Sequence, residues 1–144
     1  MKFIIAAAVV IAVLGVGLTY LPLGGGKSAD SSVGSVEGAE IVSVTLPDAL
    51  TQNAQIGQRA YDASCSSCHG TNASGREGIA PPLVHIIYEP SHHADESFQR
   101  AVSLGVRAHH WPFGDMPAVE GLKRGDVTLI TAYIRELQRA NGIN

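Results

Sequence analysis

The stretch SCSSCHG, residues 64–70, contains the only two cysteines of the chain, Cys65 and Cys68, followed directly by His69. Two thiols at this spacing can form a redox dithiol, provide half of a zinc site, or add to the vinyl groups of a haem. In the haem site the adjacent imidazole becomes a ligand of the iron. The rest of the sequence has to discriminate between these chemistries.

The surroundings of Cys65 and Cys68 favour haem attachment. A redox Cys-x-x-Cys usually opens a helix after a strand, but here the motif follows a predicted helix and no βαβ pattern is present. A structural zinc site needs four ligands, and the chain has no second cysteine pair. A disulfide across two residues would close a very small loop and stabilise little. The motif therefore predicts one covalently bound c-type haem, with His69 as the proximal iron ligand.

The candidate for a second axial ligand is the only methionine after Met1, which is Met116 in Gly114-Asp115-Met116-Pro117. Ligation by His and Met together is typical of electron-transfer haems. The alternatives are that Met116 fills a gap in the core, as methionines commonly do, or that a histidine replaces it at the iron.

The N-terminal part of the sequence predicts export. Residues 3–23 contain no charge and are long enough to cross a bilayer as a helix. They are read as an uncleaved membrane anchor within an N-terminal segment 1–23, or as a cleaved signal segment. Lys2 stays on the cytoplasmic side, so the remainder lies in the periplasm, either tethered to the inner membrane by a single pass or soluble after cleavage.

A Gly/Ser-rich segment, residues 24–46, is expected to be a flexible linker. The domain, 47–144, is predicted to be all-α, with helices from about Asp48 or Thr51 to Ala63, from Asp95 to Leu104, and from Asp126 to Arg139. Long Gly/Pro-rich loops separate these helices, which suggests that they wrap a cofactor. The net charge of −3 argues against nucleic acid as a partner.

The domain resembles class I cytochromes c, of the membrane-anchored bacterial type with a single haem. Cys65, Cys68 and His69 match the haem motif of that family, and Met116-Pro117 matches its distal Met-Pro. Pro81-Pro82-Leu83 resembles its proline loop, in which a carbonyl, assigned here to Pro82, accepts the N–H of the proximal imidazole. Further matches are helix-contact residues on the first and last helices: Gly57, Tyr61, Ile130 and Tyr133.

The resemblance implies a cytochrome c fold around the haem and a non-enzymatic role as a one-electron carrier of a respiratory or photosynthetic chain. Implied partners are membrane redox complexes such as a quinol–cytochrome c oxidoreductase and a terminal oxidase. The protein would either shuttle between them on its tether or be a subunit of one of them. The domain lacks the lysine-rich surface of mitochondrial relatives. The alternative function is a haem sensor or peroxidase-like protein with a labile distal ligand.

Five further histidines lie within a short part of the domain, at positions 85, 92, 93, 109 and 110. They are interpreted as surface residues or hydrogen-bond donors to haem propionates, with a second metal site as the alternative. Arg107 and Trp111 are weaker candidates for contacts with the propionates.

Overall fold

The computed structural model describes residues 36–144. Within this range the chain forms four α-helices: α1 (Gln52–Ser64), α2 (Ser66–His69), α3 (Asp95–Leu104) and α4 (Arg124–Ala140). Two 3-10 turns, Thr71–Ala73 and Ile86–Tyr88, lie in the connection between α2 and α3. The described residues contain isolated β-bridges but no strand, so the all-α prediction is confirmed for this part of the chain.

Helices α1 and α4 cross closely and form the centre of the core. A Cβ atom built on Gly57 would lie 1.9 Å from the carbonyl oxygen of Leu129, so only glycine permits this approach. One turn further along α1, the rings of Tyr61 and Tyr133 pack with their centroids 5.6 Å apart. The helix contact that the resemblance implies is therefore confirmed for Gly57, Tyr61 and Tyr133.

The helix boundaries agree with the sequence prediction except at the start of α4. Thr51 caps α1 by accepting a hydrogen bond from the Ala54 N–H, and α3 has the expected bounds. The last helix is expected from the sequence to start at Asp126, but α4 already begins at Arg124. The Asp126 carboxylate accepts a hydrogen bond from the Lys123 N–H from inside the first turn, as in the returning half of a capping box.

Residues 36–46 lie against the domain, although the sequence placed the end of a flexible linker at position 46. The Gly38 N–H donates to the Glu77 carbonyl at 2.8 Å, and the Val42 N–H donates to the Ser74 carbonyl at 3.1 Å. These backbone bonds cannot be recognised from side-chain composition. The part of the predicted linker that the structure describes is therefore held on the domain.

The predicted anchor, residues 3–23, falls outside the described residues. Among residues 36–144, every helix is too short or too polar to cross a bilayer.

Candidate haem site

The motif cysteines and His69 are positioned by the turn that ends α1. Cys65 terminates α1, and its carbonyl accepts hydrogen bonds from the N–H groups of Cys68 (3.2 Å) and His69 (2.9 Å). The motif is thereby wound into the single turn of α2, and both thiols are free. The three side chains line one side of a cavity of about 510 Å³, a size typical of small-molecule pockets.

The environment of Cys65 does not resemble that of a redox cysteine. Burial, together with the nearby Cys68, raises the pKa of the Cys65 thiol to about 11. Reactive dithiols require the opposite, a pKa lowered toward neutrality by a helix N-terminus or a cation. The dithiol alternative is therefore not favoured by the structure.

His69 is oriented by a carbonyl oxygen from the proline loop. Its Nδ1 lies 2.9 Å from the carbonyl oxygen of Pro81, which can only accept, so Nδ1 carries the proton and Nε2 keeps its lone pair. Burial lowers the pKa of His69 and so favours the neutral imidazole. The hydrogen bond to Pro81 acts in the opposite direction but is the smaller effect. The prediction that Pro82 supplies this carbonyl is wrong by one residue.

A tight turn brings the proline loop to His69. Gly70 and Gly75 both have positive φ, and the Gly75 N–H donates to the His69 carbonyl at 2.7 Å. A Cβ at Gly75 would lie 2.5 Å from the nitrogen of Pro82, so the chain can pass only because this position is glycine. Pro82 itself is fully buried beside the turn. The Pro82 ring therefore packs at the site, while the hydrogen bond from His69 is accepted by the carbonyl of Pro81.

Met116 lines the same cavity as His69 and is held by a backbone bridge. The N–H and carbonyl of Met116 pair with those of Val106, each bond being 2.9 Å long. Gly105, directly before Val106, has a φ of 75° at the end of α3, and a Cβ there would lie 2.5 Å from the Met116 carbonyl oxygen. The close approach at Gly105 thus fixes the backbone that carries the predicted distal ligand.

The walls of the cavity are mainly apolar and come from α3, α4 and the loop that follows α3. Phe98 and Val102 of α3 and Val127, Ile130 and Ile134 of α4 line it. Ile130 and Ile134 also belong to the core cluster that includes Ala54 and Tyr61 of α1, so one helix supports the core and the cavity together.

Trp111 supplies a polar group without a well-formed hydrogen bond in the protein, although its N–H is near enough to Tyr88 to act against the rise in the pKa of that hydroxyl. Its Nε1 is the one side-chain nitrogen or oxygen among residues 36–144 that is buried without a hydrogen bond. A buried N–H of this kind costs free energy unless an acceptor is bound beside it. Trp111 lines the cavity, so its N–H is available to a carboxylate of a bound haem, the role suggested for it from the sequence. Exposed Arg107 also lines the cavity.

Sequence reasoning did not identify a buried polar network that links α4 to the chain between the proline loop and α3. Arg135 is only 6% exposed and donates to the carbonyl oxygen of Tyr88 at 2.7 Å and to that of His93. Gln138, 1% exposed, donates to the carbonyl oxygens of Leu83 and Tyr88. In the sequence, Arg135 and Gln138 stand at helical spacing beside the apolar stripe. The same spacing is found on an ordinary solvated helix face, so it does not identify a buried network.

The residues present fit a covalently attached haem. Two free thiols, a neutral imidazole with an available Nε2, a thioether and an unpartnered indole N–H all face an apolar cavity.

Comparison with known protein families matches residues 54–138 to the family Cytochrome c. A comparison with curated proteins found no match. The family match covers more than half of the chain and reaches from α1 into α4. It includes the cysteine–histidine motif and Met116. The chain therefore belongs to the cytochrome c family, whose members hold haem covalently and serve in electron transfer.

Proposed function

We propose that this protein is a one-electron carrier of class I type, with one haem held covalently by Cys65 and Cys68 and ligated by His69 and Met116. The observation that carries the proposal is the hydrogen bond from His69 Nδ1 to the Pro81 carbonyl, since it directs the Nε2 lone pair to a ligand. Met116 lining the same cavity supports it as the second ligand. A haem in this cavity supplies reversible one-electron chemistry.

The residues of the chain contribute orientation and exclusion of water. The Pro81 carbonyl keeps the proton on His69 Nδ1 and makes the ring a stronger donor to a metal. The apolar walls from α3 and α4 lower the local dielectric, which disfavours net charge at the site. Trp111 is the donor suited to a haem carboxylate, because its N–H makes no well-formed hydrogen bond in the protein. The match to the cytochrome c family supports a carrier rather than an enzyme.

Residues 3–23 are proposed to anchor the haem domain to the periplasmic face of the inner membrane, with residues before Val36 as part of the tether. The support is the uncharged length of this segment together with Lys2. Proposed partners are membrane redox complexes such as a quinol–cytochrome c oxidoreductase and a terminal oxidase. Without an excess of basic residues, docking would depend on the tether's effective concentration more than on charge steering.

The carrier proposal is tested on the full-length, haem-loaded protein by potentiometric titration and exposure to carbon monoxide. We expect a single reversible one-electron transition and no change in the ferrous spectrum on adding carbon monoxide, because Met116 occupies the sixth position. Rapid binding of carbon monoxide, with turnover of peroxide, would contradict the carrier proposal. It would favour a sensor or peroxidase-like function, for which the histidines that line the cavity are the structural argument.

The anchor is tested separately, by washing membranes with high salt and measuring the mass of the purified protein. Retention in the membrane, with the mass of the uncleaved chain plus one haem, is the expected result. Release into the periplasmic fraction with a shortened N-terminus would refute the anchor and leave the carrier proposal intact.

A further inference from the structure

Two histidine pairs that are distant in sequence meet at one edge of the haem cavity. His92 and His93 precede α3, and His109 and His110 follow it. The nearest ligand atoms of His92, His93 and His110 all lie within 4.8 Å of one another. Their ring centroids are 4.6 Å (His92 to His93), 5.4 Å (His92 to His110) and 5.3 Å (His93 to His110) apart.

His93 is oriented in the way that is typical of metal-ligating histidines. Its Nδ1 lies 2.6 Å from the carbonyl oxygen of Ile87, so Nδ1 carries the proton and Nε2 is left with a lone pair. A backbone carbonyl behind one ring nitrogen is the usual support for a ligand that binds through the other. The same arrangement holds His69 through Pro81.

The segment that carries His92 and His93 is fixed by buried groups. Glu89 accepts hydrogen bonds through its carbonyl from the N–H groups of both histidines, at 3.1 and 2.8 Å. Arg135, buried in α4, donates to the backbone on either side of this turn, at Tyr88 and at His93. The two imidazoles therefore project from a backbone that is already ordered, which reduces the entropic cost of binding.

The segment that carries His110 is also closed by hydrogen bonds. The Asp115 carboxylate accepts from the Ala108 N–H at 2.8 Å, across the loop. The base of the loop is the bridge between Val106 and Met116. His110 thus lies opposite the first pair on a short loop whose two ends are tied together.

We propose that His92, His93 and His110 form a binding site for one divalent transition-metal cation, distinct from the haem iron. Imidazole ligands suit Zn²⁺ and Cu²⁺, and the usual order of stability makes Cu²⁺ the tighter of the two. At Zn–N distances of about 2.0–2.1 Å, tetrahedral ligand nitrogens lie roughly 3.4 Å apart. Rotation of the exposed His92 and His110 side chains can close the present spacing, and water would complete the coordination.

The test is calorimetric titration of the full-length, haem-loaded protein with Zn²⁺ alone, after removal of metals by a chelator. We expect one equivalent to bind, and His92→Ala and His110→Ala to weaken binding at least ~10-fold. The matched control is His85→Asn, because His85 lies outside the cluster and Asn retains an acceptor for the Ile87 N–H. Circular dichroism checks that each variant is folded.

Two spectroscopic readouts decide whether the site is separate from the haem. Zn²⁺ should leave the haem absorption spectrum unchanged, and Cu²⁺ should give an electron paramagnetic resonance signal with nitrogen hyperfine structure that His110→Ala alters. The proposal is overturned if Zn²⁺ does not bind, or if the variants bind it as tightly as the unmodified protein. It is also overturned if the variants change the haem spectrum or potential without affecting Zn²⁺, since the histidines would then serve the haem instead. The carrier proposal depends on Cys65, Cys68, His69 and Met116, none of which belongs to the second site, so loss of that site leaves it standing.

Discussion

Replacing Gly57 by alanine tests whether the α1–α4 crossing limits the stability of the haem domain. The added Cβ would lie 1.9 Å from the Leu129 carbonyl oxygen and 2.5 Å from its carbon. Cβ atoms in proteins essentially never approach other atoms closer than 3.0 Å, so the backbones must separate from 1.9 Å to at least 3.0 Å, by about 1.1 Å. The obstacle is the backbone of α4, which cannot rotate away as a side chain could.

Two opposing terms set the expected magnitude for Gly57→Ala. Alanine is favoured over glycine in a helix interior by about 1 kcal/mol. Overpacking of a tight contact costs about 1–3 kcal/mol and more where only backbone can yield. Because only backbone can yield here, the upper end of that range applies, and we expect a net loss of about 2 kcal/mol in the free energy of unfolding. Opening the crossing also displaces Ile130, which lines the haem cavity, so the haem spectrum should broaden.

The assay is guanidinium unfolding of the haem-loaded protein, followed by far-ultraviolet circular dichroism. Gly125→Ala is the matched control, since Gly125 lies in the first turn of α4 and an added Cβ meets nothing within 4 Å. The control should be neutral or slightly stabilising. If Gly57→Ala unfolds at the same denaturant concentration as Gly125→Ala, the close-crossing argument is refuted.

Three further substitutions probe the support of the cavity. Tyr61→Phe removes the buried hydrogen bond to the Gly70 carbonyl (2.9 Å) and should lower the free energy of unfolding by about 1–3 kcal/mol, while an unchanged value would dismiss this bond. Arg135→Met leaves the His93 carbonyl without its donor and should cost about 2 kcal/mol in the same assay, whereas a stabilised variant would contradict the network. Trp111→Phe removes the unpartnered N–H and should lower the reduction potential, because a haem carboxylate would lose a donor that offsets its charge; a potentiometric titration with no shift would rule out that contact.

Local signals in the sequence predicted α3 correctly because they are short-range. Its apolar spacing and the glycine at position 105 are sufficient to define where the helix ends. The start of α4 was predicted two residues too late, because a carboxylate can cap a helix either from the N-cap or from inside the first turn. Asp126 does the second, and the two cases look alike in sequence.

The site was less predictable where contacts between distant parts of the chain determine which of two similar residues has a given role. Pro81 and Pro82 give the same sequence signal, and only the turn from Gly70 to Gly75 determines which carbonyl meets His69. Arg135 reads as a surface residue, because its buried acceptors are backbone atoms more than 40 positions away in the chain. The axial role of Met116 stays a prediction, since lining a cavity is not coordination.

Ligation of the iron by Met116 is the central claim, and the optical spectrum of the oxidised, haem-loaded protein tests it most directly. The account predicts the weak long-wavelength charge-transfer band of a thioether–ferric iron bond, and its loss in Met116→Ala. If the unmodified protein lacks this band, Met116 is not the ligand and the electron-carrier account is contradicted.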